Sequence, residues 1–463
     1  MTTTLEAQAA TPPSAWTGPP APSLWKGHLD LFQTEKVRFI EACVREHGDV
    51  VRIRFGWIPV WLVSDPDLIG EVFTTQADAF QKDLGLRRTK VVLGEGLLTS
   101  EEPEHARRSK LAQPAFRKQE IDRYADAMVE LTAARAAGWI GREVDLGSET
   151  SELALSIVAR SLFGADLGQE SQALSRALTE VLHLMEERLG KVRPLPLWVP
   201  TPHNRRFKAA LDVLDRGVLG LVARRRAAGT VGAHDLLSRL MGADAEGTRP
   251  LSDRELRDEV MTLVLAGHET TANALAFSLW LLARHPEVAA ALRAEVDQVL
   301  GGRPARAEDL GRLELAGQVF QEALRLYPPV WMLGREATRD VVLGGRLQVR
   351  RGEMVTVSPW VVHKDPRWWG SDAAAFRPER FARGAPRPRP HAYFPFGIGK
   401  RACIGRSFAL LEGTLVLATL AQRVELEVLG DPSLVAQLTL RPGPLPARAR
   451  SRPTAGCLAA PPC

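Results

Sequence analysis

Ten residues near the C-terminal end, Phe396 to Gly405, read FGIGKRACIG and hold the clearest chemistry of the chain. Cys403 sits among Gly397, Gly399 and Gly405. Lys400 and Arg401 precede it, and an apolar run with helical spacing, RSFALLEGTLVLATL, follows. Glycine lets a backbone approach a flat or hard surface closely. A thiol ahead of a helix N-terminus and beside cations is expected to have a lowered pKa and to be available as thiolate. That is the chemistry of an iron ligand. Two blander readings compete: a lone cysteine is most often a small buried apolar residue, and a glycine-rich loop before a helix can cradle phosphate.

The spacing separates these readings. The pattern F-x-x-G-x-R-x-C-x-G is matched at Phe396, Gly399, Arg401, Cys403 and Gly405. It resembles the haem-binding loop of the cytochrome P450 family. The resemblance implies haem b as cofactor, Cys403 as its axial thiolate, and Phe396, Gly399, Arg401 and Gly405 as the bed of the cofactor. A thiolate ligand pushes electron density toward O–O cleavage.

A second stretch, AGHETT from Ala266 to Thr271, lies inside a long helical pattern. Ser252 to Glu255 reads as a capping box and Pro286 closes the segment, so the helix should run about 32 residues, roughly 48 Å. Gly267 costs about 1 kcal/mol relative to alanine there, and Thr270 can bond the carbonyl of residue 266 and bend the helix. Alone, this weak spot reads as a packing kink with a solvated glutamate. Under the resemblance it is an oxygen-binding groove. Ala266 and Gly267 leave room above the iron, Thr270 offers a hydroxyl, and Glu269 relays protons, a role that suits a partly desolvated carboxylic acid. His268 is not expected as a second iron ligand, because it would block oxygen.

Glu322 and Arg325 stand at i, i+3 on one helix face. With LYPP after them and PERF at 378–381, they resemble the E-x-x-R helix of the family and its partner arginine, Arg380. The implied role is structural, a buried charge cluster behind the cysteine loop. The two propionates of haem need cations; by resemblance these are Arg401, Arg335 and His105. Many relatives carry an arginine four residues after that histidine, where this chain has Ser109. Arg107, Arg108, Lys110, Lys400 and Arg406 then read either as a basic docking face on the thiolate side or as an ordinary solvated surface.

The elements that must position these groups are mostly helices. The chain has 463 residues, 45% apolar and 25% charged, ordinary for a globular protein. A net charge of +5 without a run of five or six like charges argues against a nucleic-acid tail and suits an acidic protein partner. Cys43, Cys403, Cys457 and Cys463 match neither a zinc pattern nor a disulfide framework, so a cytoplasmic setting is expected. No apolar stretch is long enough to span a membrane; a soluble monomer is expected, with at most transient membrane contact. Helices are expected around 35–47, 65–74, 101–126 with a break at Pro114, and almost continuously from 120 to 295 apart from loops at 193–202 and 242–251. A hairpin is expected in VVRIRFGWIPVWLVS, short strands after Pro328, and a final small sheet in VELEVLG and LTLRP. The fold class is mainly α with a minor β part: a single large cytochrome P450-type domain, with haem between the long central helix and the Cys-ligand loop and helix. The domain should cover 25–450, after a Pro-rich, poorly ordered lead-in (1–24) and before a flexible tail (451–463).

Leu263, Val330, Trp331, Met332 and Leu333 are placed by resemblance around the substrate pocket, with Trp198 on the 193–202 loop. Their apolar character implies a hydrophobic substrate. EALRLYPPVW, RSFALLEG and AQLTLRPGPLPAR resemble bacterial carotenoid-ring hydroxylases, which points to β-carotene, with a long-chain fatty acid as the alternative. The implied reaction is O2-dependent monooxygenation. Electrons would come from NAD(P)H through a separate ferredoxin or flavodoxin-like donor and its reductase. A peroxygenase driven by H2O2 is the competing enzyme class, but such relatives tend to lose the acid–threonine pair present here. A haem sensor would carry a signalling module, and none is visible.

Overall fold

A 32-residue helix, Asp253–Arg284, runs through the molecule and sets its layout. Its start is the capping box read from the sequence: the Ser252 hydroxyl accepts from the Glu255 N–H, and the Glu255 carboxylate accepts from the Ser252 N–H. Between Leu256 and Leu281 most side chains are buried, as expected of a helix that crosses the core. Around it pack Leu146–Phe163, Pro202–Ala228, Glu314–Leu326 and the helix after the cysteine, Arg406–Arg423. This is a computed structural model; it describes residues 18–167, 170–191, 194–229, 235–242 and 249–452.

The minor β part is chiefly one five-stranded sheet, in the spatial order Val50–Phe55, Ile58–Val63, Met354–Val357, Leu333–Ala337, Phe80–Lys82. The second and third strands run parallel and the other neighbours antiparallel. The alternation in VVRIRFGWIPVWLVS thus forms its hairpin, turned at Gly56 with φ of 61°. The edge strand Phe80–Lys82 sets Lys82 directly opposite Arg335. A two-stranded hairpin Val341–Leu343/Leu347–Val349, two-stranded Leu434–Ala436/Leu440–Pro442 and three-stranded Glu143–Asp145/Pro446–Ser451/Val424–Val428 make up the rest of the β part among the described residues.

Helix boundaries follow the sequence with local shifts. The break expected at Pro114 is a 3-10 turn, Gln113–Phe116, between Glu104–Ala112 and Lys118–Trp139. Residues 18–24, expected in the lead-in, instead lie against the first strand: Pro19 O is 2.9 Å from His28 Nε2, and Gly18 backs onto the Arg52 carbonyl so closely that a Cβ would lie 2.1 Å from it. Residues 1–17, most of the 242–251 loop and 453–463, with Cys457 and Cys463, lie outside the described residues.

Candidate active site

The cysteine loop is built by backbone bonds. The Cys403 N–H donates to Phe396 O at 2.8 Å and the Ala402 N–H to Gly399 O at 3.0 Å. Gly397 and Gly399 take φ of 69° and 71°, a region that disfavours side chains. Cys403 is a free, exposed cysteine, yet protein atoms crowd its thiol. The expected low pKa is not found. Burial pushes the thiol up, against the Gly405 N–H that donates to it and the Arg406 charge. The nearby cations are spent elsewhere: Lys400 pairs with Asp78 at 2.9 Å, and Arg401 bonds Ser100 O and Glu101.

The central helix has an exposed point in its middle. Ala266 is accessible in the middle of a helix whose flanking residues, Met261–Leu265 and Thr271–Leu275, are buried. Gly267 packs near Val158, where a Cβ would lie 3.1 Å from a methyl. The Thr270 hydroxyl donates to Ala266 O at 2.7 Å, the back-bond expected from the sequence. Glu269 is half-buried and its carboxylate accepts from the Thr439 hydroxyl at 2.8 Å. Burial pushes Glu269 up to about 7, against the pull of that bond and of Arg441. His268 turns away to Ser151 Oγ at 2.7 Å, and burial lowers it to about 4.

Four basic side chains gather beside the cysteine loop. Arg401 comes from the loop, Arg335 and Lys82 from adjacent strands, and His105 from Glu104–Ala112. They act on one another. Burial, then Arg401 and Lys82, push His105 down to about 4. Burial, then Arg401, push Lys82 down to about 7, with Glu101 opposing and Arg335 adding. Burial leads the lowering of Arg335, and Arg401 adds to it. A crowded, part-desolvated basic group of this kind suits anionic partners, and haem brings two carboxylates. With an accessible cysteine on the loop and an accessible Ala266 on the central helix, the residues present fit that prosthetic group. Lys82 was missed from sequence: a lysine in a three-residue strand carries no periodic signal, and only its pairing with Arg335 exposes it.

Arg108 departs from its expected place on a basic face. It is buried and its guanidinium donates to Glu259 at 3.0 Å, while Arg107 is held by Glu104 and Glu255. One residue earlier than Ser109, the helix turns the side chain about 100°, toward the central helix and away from the cation group. Glu322, Arg325 and Arg380 do lie together. Arg325 forks onto Glu322 with two 2.7 Å bonds, and Arg380 Nε is 3.6 Å from Glu322.

The apolar residues divide. Val330, Met332 and Leu333 are half-buried, and Leu263 is buried beside Ala266 along the helix. Trp331 belongs to the core instead: it is 3% exposed, stacks on Phe32 at 6.1 Å between centroids, and donates its indole N–H to Gln437 O at 2.9 Å. The flat Phe32 face and that carbonyl satisfy both parts of the indole, so it is no pocket wall. Trp198, 78% exposed, stands on the outer surface of its loop.

The site thus sits in a fold of helices packed around one long central helix, one of them continuing directly from the cysteine loop. The family model for cytochrome P450 matches residues 17–442. The chain belongs to the cytochrome P450 family and is an oxidoreductase, a monooxygenase of hydrophobic substrates, for which the family implies haem b and electrons from a redox partner. It is 36% identical over 428 residues to cyclooctatin synthase of Streptomyces melanosporofaciens, covering 90% of this chain and 92% of that protein. It is 34% identical over 420 residues to pentalenene oxygenase of Streptomyces avermitilis, covering 89% and 92%. Bifunctional cytochrome P450/NADPH–P450 reductase 2 of Bacillus subtilis is 30% identical over 424 residues, which span 88% of this chain and 40% of that protein. Among the described residues, no helix is long and apolar enough to cross a membrane.

Proposed function

We propose that this chain hydroxylates a cyclic terpenoid, with Cys403 as the thiolate ligand of haem iron. The observation that carries the substrate class is the pair of Streptomyces relatives named for cyclooctatin and pentalenene, alike over nine tenths of both chains. They shift the reading from a C40 carotenoid ring toward a smaller fused-ring terpene; β-carotene and palmitate become the comparison substrates.

In this reading Lys82, His105, Arg335 and Arg401 hold the haem carboxylates, and Phe396, Gly399 and Gly405 shape the bed of the ring. Bound haem would supply O2 activation and transfer of one oxygen atom into a C–H bond, the second leaving as water. Leu263, Val330, Met332 and Leu333 supply an apolar wall that orients the substrate and excludes water. Ala266 keeps the centre of the groove open with only a methyl, and Gly267 lets the central helix pack close to Val158. Thr270 offers its hydroxyl there once it leaves Ala266 O, and Glu269 moves protons inward. An acid that titrates near neutrality can both give and regain a proton, which favours the O2 route over a peroxygenase. Glu322, Arg325 and Arg380 support the loop from behind. A separate ferredoxin or flavodoxin-like donor, reduced from NAD(P)H, would dock near exposed Lys400 and Arg406.

The experiment is the reduced, CO-bound spectrum of the haem-loaded protein, followed by turnover with a ferredoxin, its reductase and NADPH on pentalenene, β-carotene and palmitate. A thiolate-shifted Soret band that Cys403→Ala abolishes, and a product one oxygen heavier from the terpene, are expected. A normal histidine-type band, or oxidation of palmitate alone, would overturn the reading.

A further inference from the structure

The carboxyl of Glu269 does not turn toward its neighbour Thr270. It is caught from the other side by a residue far away in the chain. Thr439 lies just before the strand Leu440–Pro442, is 7% exposed, and donates its hydroxyl to Glu269 Oε1 at 2.8 Å. The same hydroxyl accepts from Asn273 Nδ2 at 3.3 Å, one helical turn beyond Glu269. Thr439 is itself fixed in place. The Gln437 N–H donates to Thr439 O at 2.9 Å, the Leu440 N–H to Pro329 O at 2.8 Å, and the Trp331 indole to Gln437 O at 2.9 Å. Trp331, misplaced by sequence as a pocket residue, thus helps clamp the segment that carries this hydroxyl.

We propose that Thr439 is a positioning residue for Glu269: its hydroxyl holds the carboxyl on the side of the C-terminal hairpin and sets where in pH that carboxyl exchanges its proton. This rests on the reading of Glu269 as the proton-moving acid. The charged and titratable surroundings are few. Arg441, on the same hairpin as Thr439, is the charged group whose field reaches Glu269. On the central helix itself, His268 is turned to Ser151 of Leu146–Phe163, and the Thr270 hydroxyl is spent on Ala266 O. The Thr439 donor therefore works with Arg441 to favour the carboxylate, while burial favours the neutral acid. Removing the donor should move the titration upward. In the wild type the Asn273 amide is engaged on the Thr439 oxygen rather than on the acid.

The test uses haem-loaded protein in the ferric state. The carboxyl stretch of Glu269, assigned as the infrared band that Glu269→Gln removes, is titrated across neutral pH in the wild type, Thr439→Val and Thr439→Ser. Valine keeps the shape and deletes the donor; serine keeps the donor. The expected result is a midpoint raised by about one pH unit in Thr439→Val, the scale of one charge-assisted hydrogen bond, and a wild-type midpoint in Thr439→Ser. A Thr439→Val titration that superimposes on the wild type would overturn the inference whatever the turnover. The reading of Glu269 as the acid is tested apart, by product formed per electron pair on pentalenene. Wild-type coupling in Glu269→Gln removes the acid from the reaction even where the infrared shift is seen, and with it the functional meaning of the Thr439 contact.

Discussion

Arg325 Nε and Nη2 meet the two oxygens of Glu322 at 2.7 Å each, in a place where neither side chain has any solvent exposure. The remaining guanidinium donors go to His363 O, Ala373 O and Ala375 O, and the Arg377 N–H donates to Glu322 Oε1 at 2.9 Å. The pair therefore ties a helix to the coil at 363–377 that leads into the cysteine loop. Arg325→Ala strands a buried carboxylate and should lower stability by about 3–5 kcal/mol; urea unfolding measures it. Because the coil feeds the loop, haem content of the purified variant should fall as well. Full haem occupancy in Arg325→Ala would detach the pair from the loop.

Lys82 offers a cleaner test of the cation group. It is buried at a sheet edge, its ammonium donates to Ser100 O, and Arg335 faces it across the strand pair. Lys82→Met keeps the stem and deletes the charge. Loss of one hydrogen bond to a charged group, about 1.5–3 kcal/mol, should speed haem transfer to apomyoglobin roughly tenfold or more. An unchanged transfer rate would mean that Lys82 does not face the haem carboxylates.

Much of this site is legible in the sequence because its parts are local. Four fixed positions around Cys403, a capping box 14 residues before Ala266, and an i, i+3 acid–base pair each survive as spacing. What escapes is what only folding brings together. Thr439 meets Glu269 across 170 positions, and Lys82 meets Arg335 by strand register. Arg108 and Ser109 differ by one position, yet a helical turn of about 100° sends Arg108 to Glu259. Trp331 looked like a pocket wall because an apolar residue after the E-x-x-R helix carries no sign of which way it points.

Gly399 should be among the least replaceable glycines. At φ of 71°, a Cβ there would sit 1.9 Å from the Phe73 carbonyl oxygen, a backbone atom that no rotamer change can move. Gly301 is the matched control: φ of 56°, with nothing near a Cβ. Gly301→Ala should cost about 1 kcal/mol, the left-handed strain alone. Gly399→Ala must in addition shift the cysteine loop, so its thermal midpoint should fall further and its reduced, CO-bound band should weaken per protein. Equal effects of the two substitutions would show that the loop yields without consequence.

Glu412 lies nine residues beyond Cys403 on the helix Arg406–Arg423, fully buried, and neither carboxylate oxygen has a partner among the described residues. Its sequence setting, one acid inside an apolar run, already hinted at burial. Desolvation raises its pKa well above 4.5. A carboxyl whose folded pKa exceeds its unfolded one binds the proton more tightly in the native state. Its contribution is therefore fully present below the unfolded value and is lost as pH rises toward the folded one. The wild type should thus lose stability from about pH 4.5 upward relative to Glu412→Gln. The two proteins should unfold alike near pH 4, where both side chains are neutral. Toward pH 8 the variant should gain by about 1–3 kcal/mol, the scale of an unpaired buried polar group. Parallel stability–pH curves would mean that Glu412 finds a partner when it ionises, and Glu412→Leu would then destabilise where it is otherwise expected to stabilise at every pH.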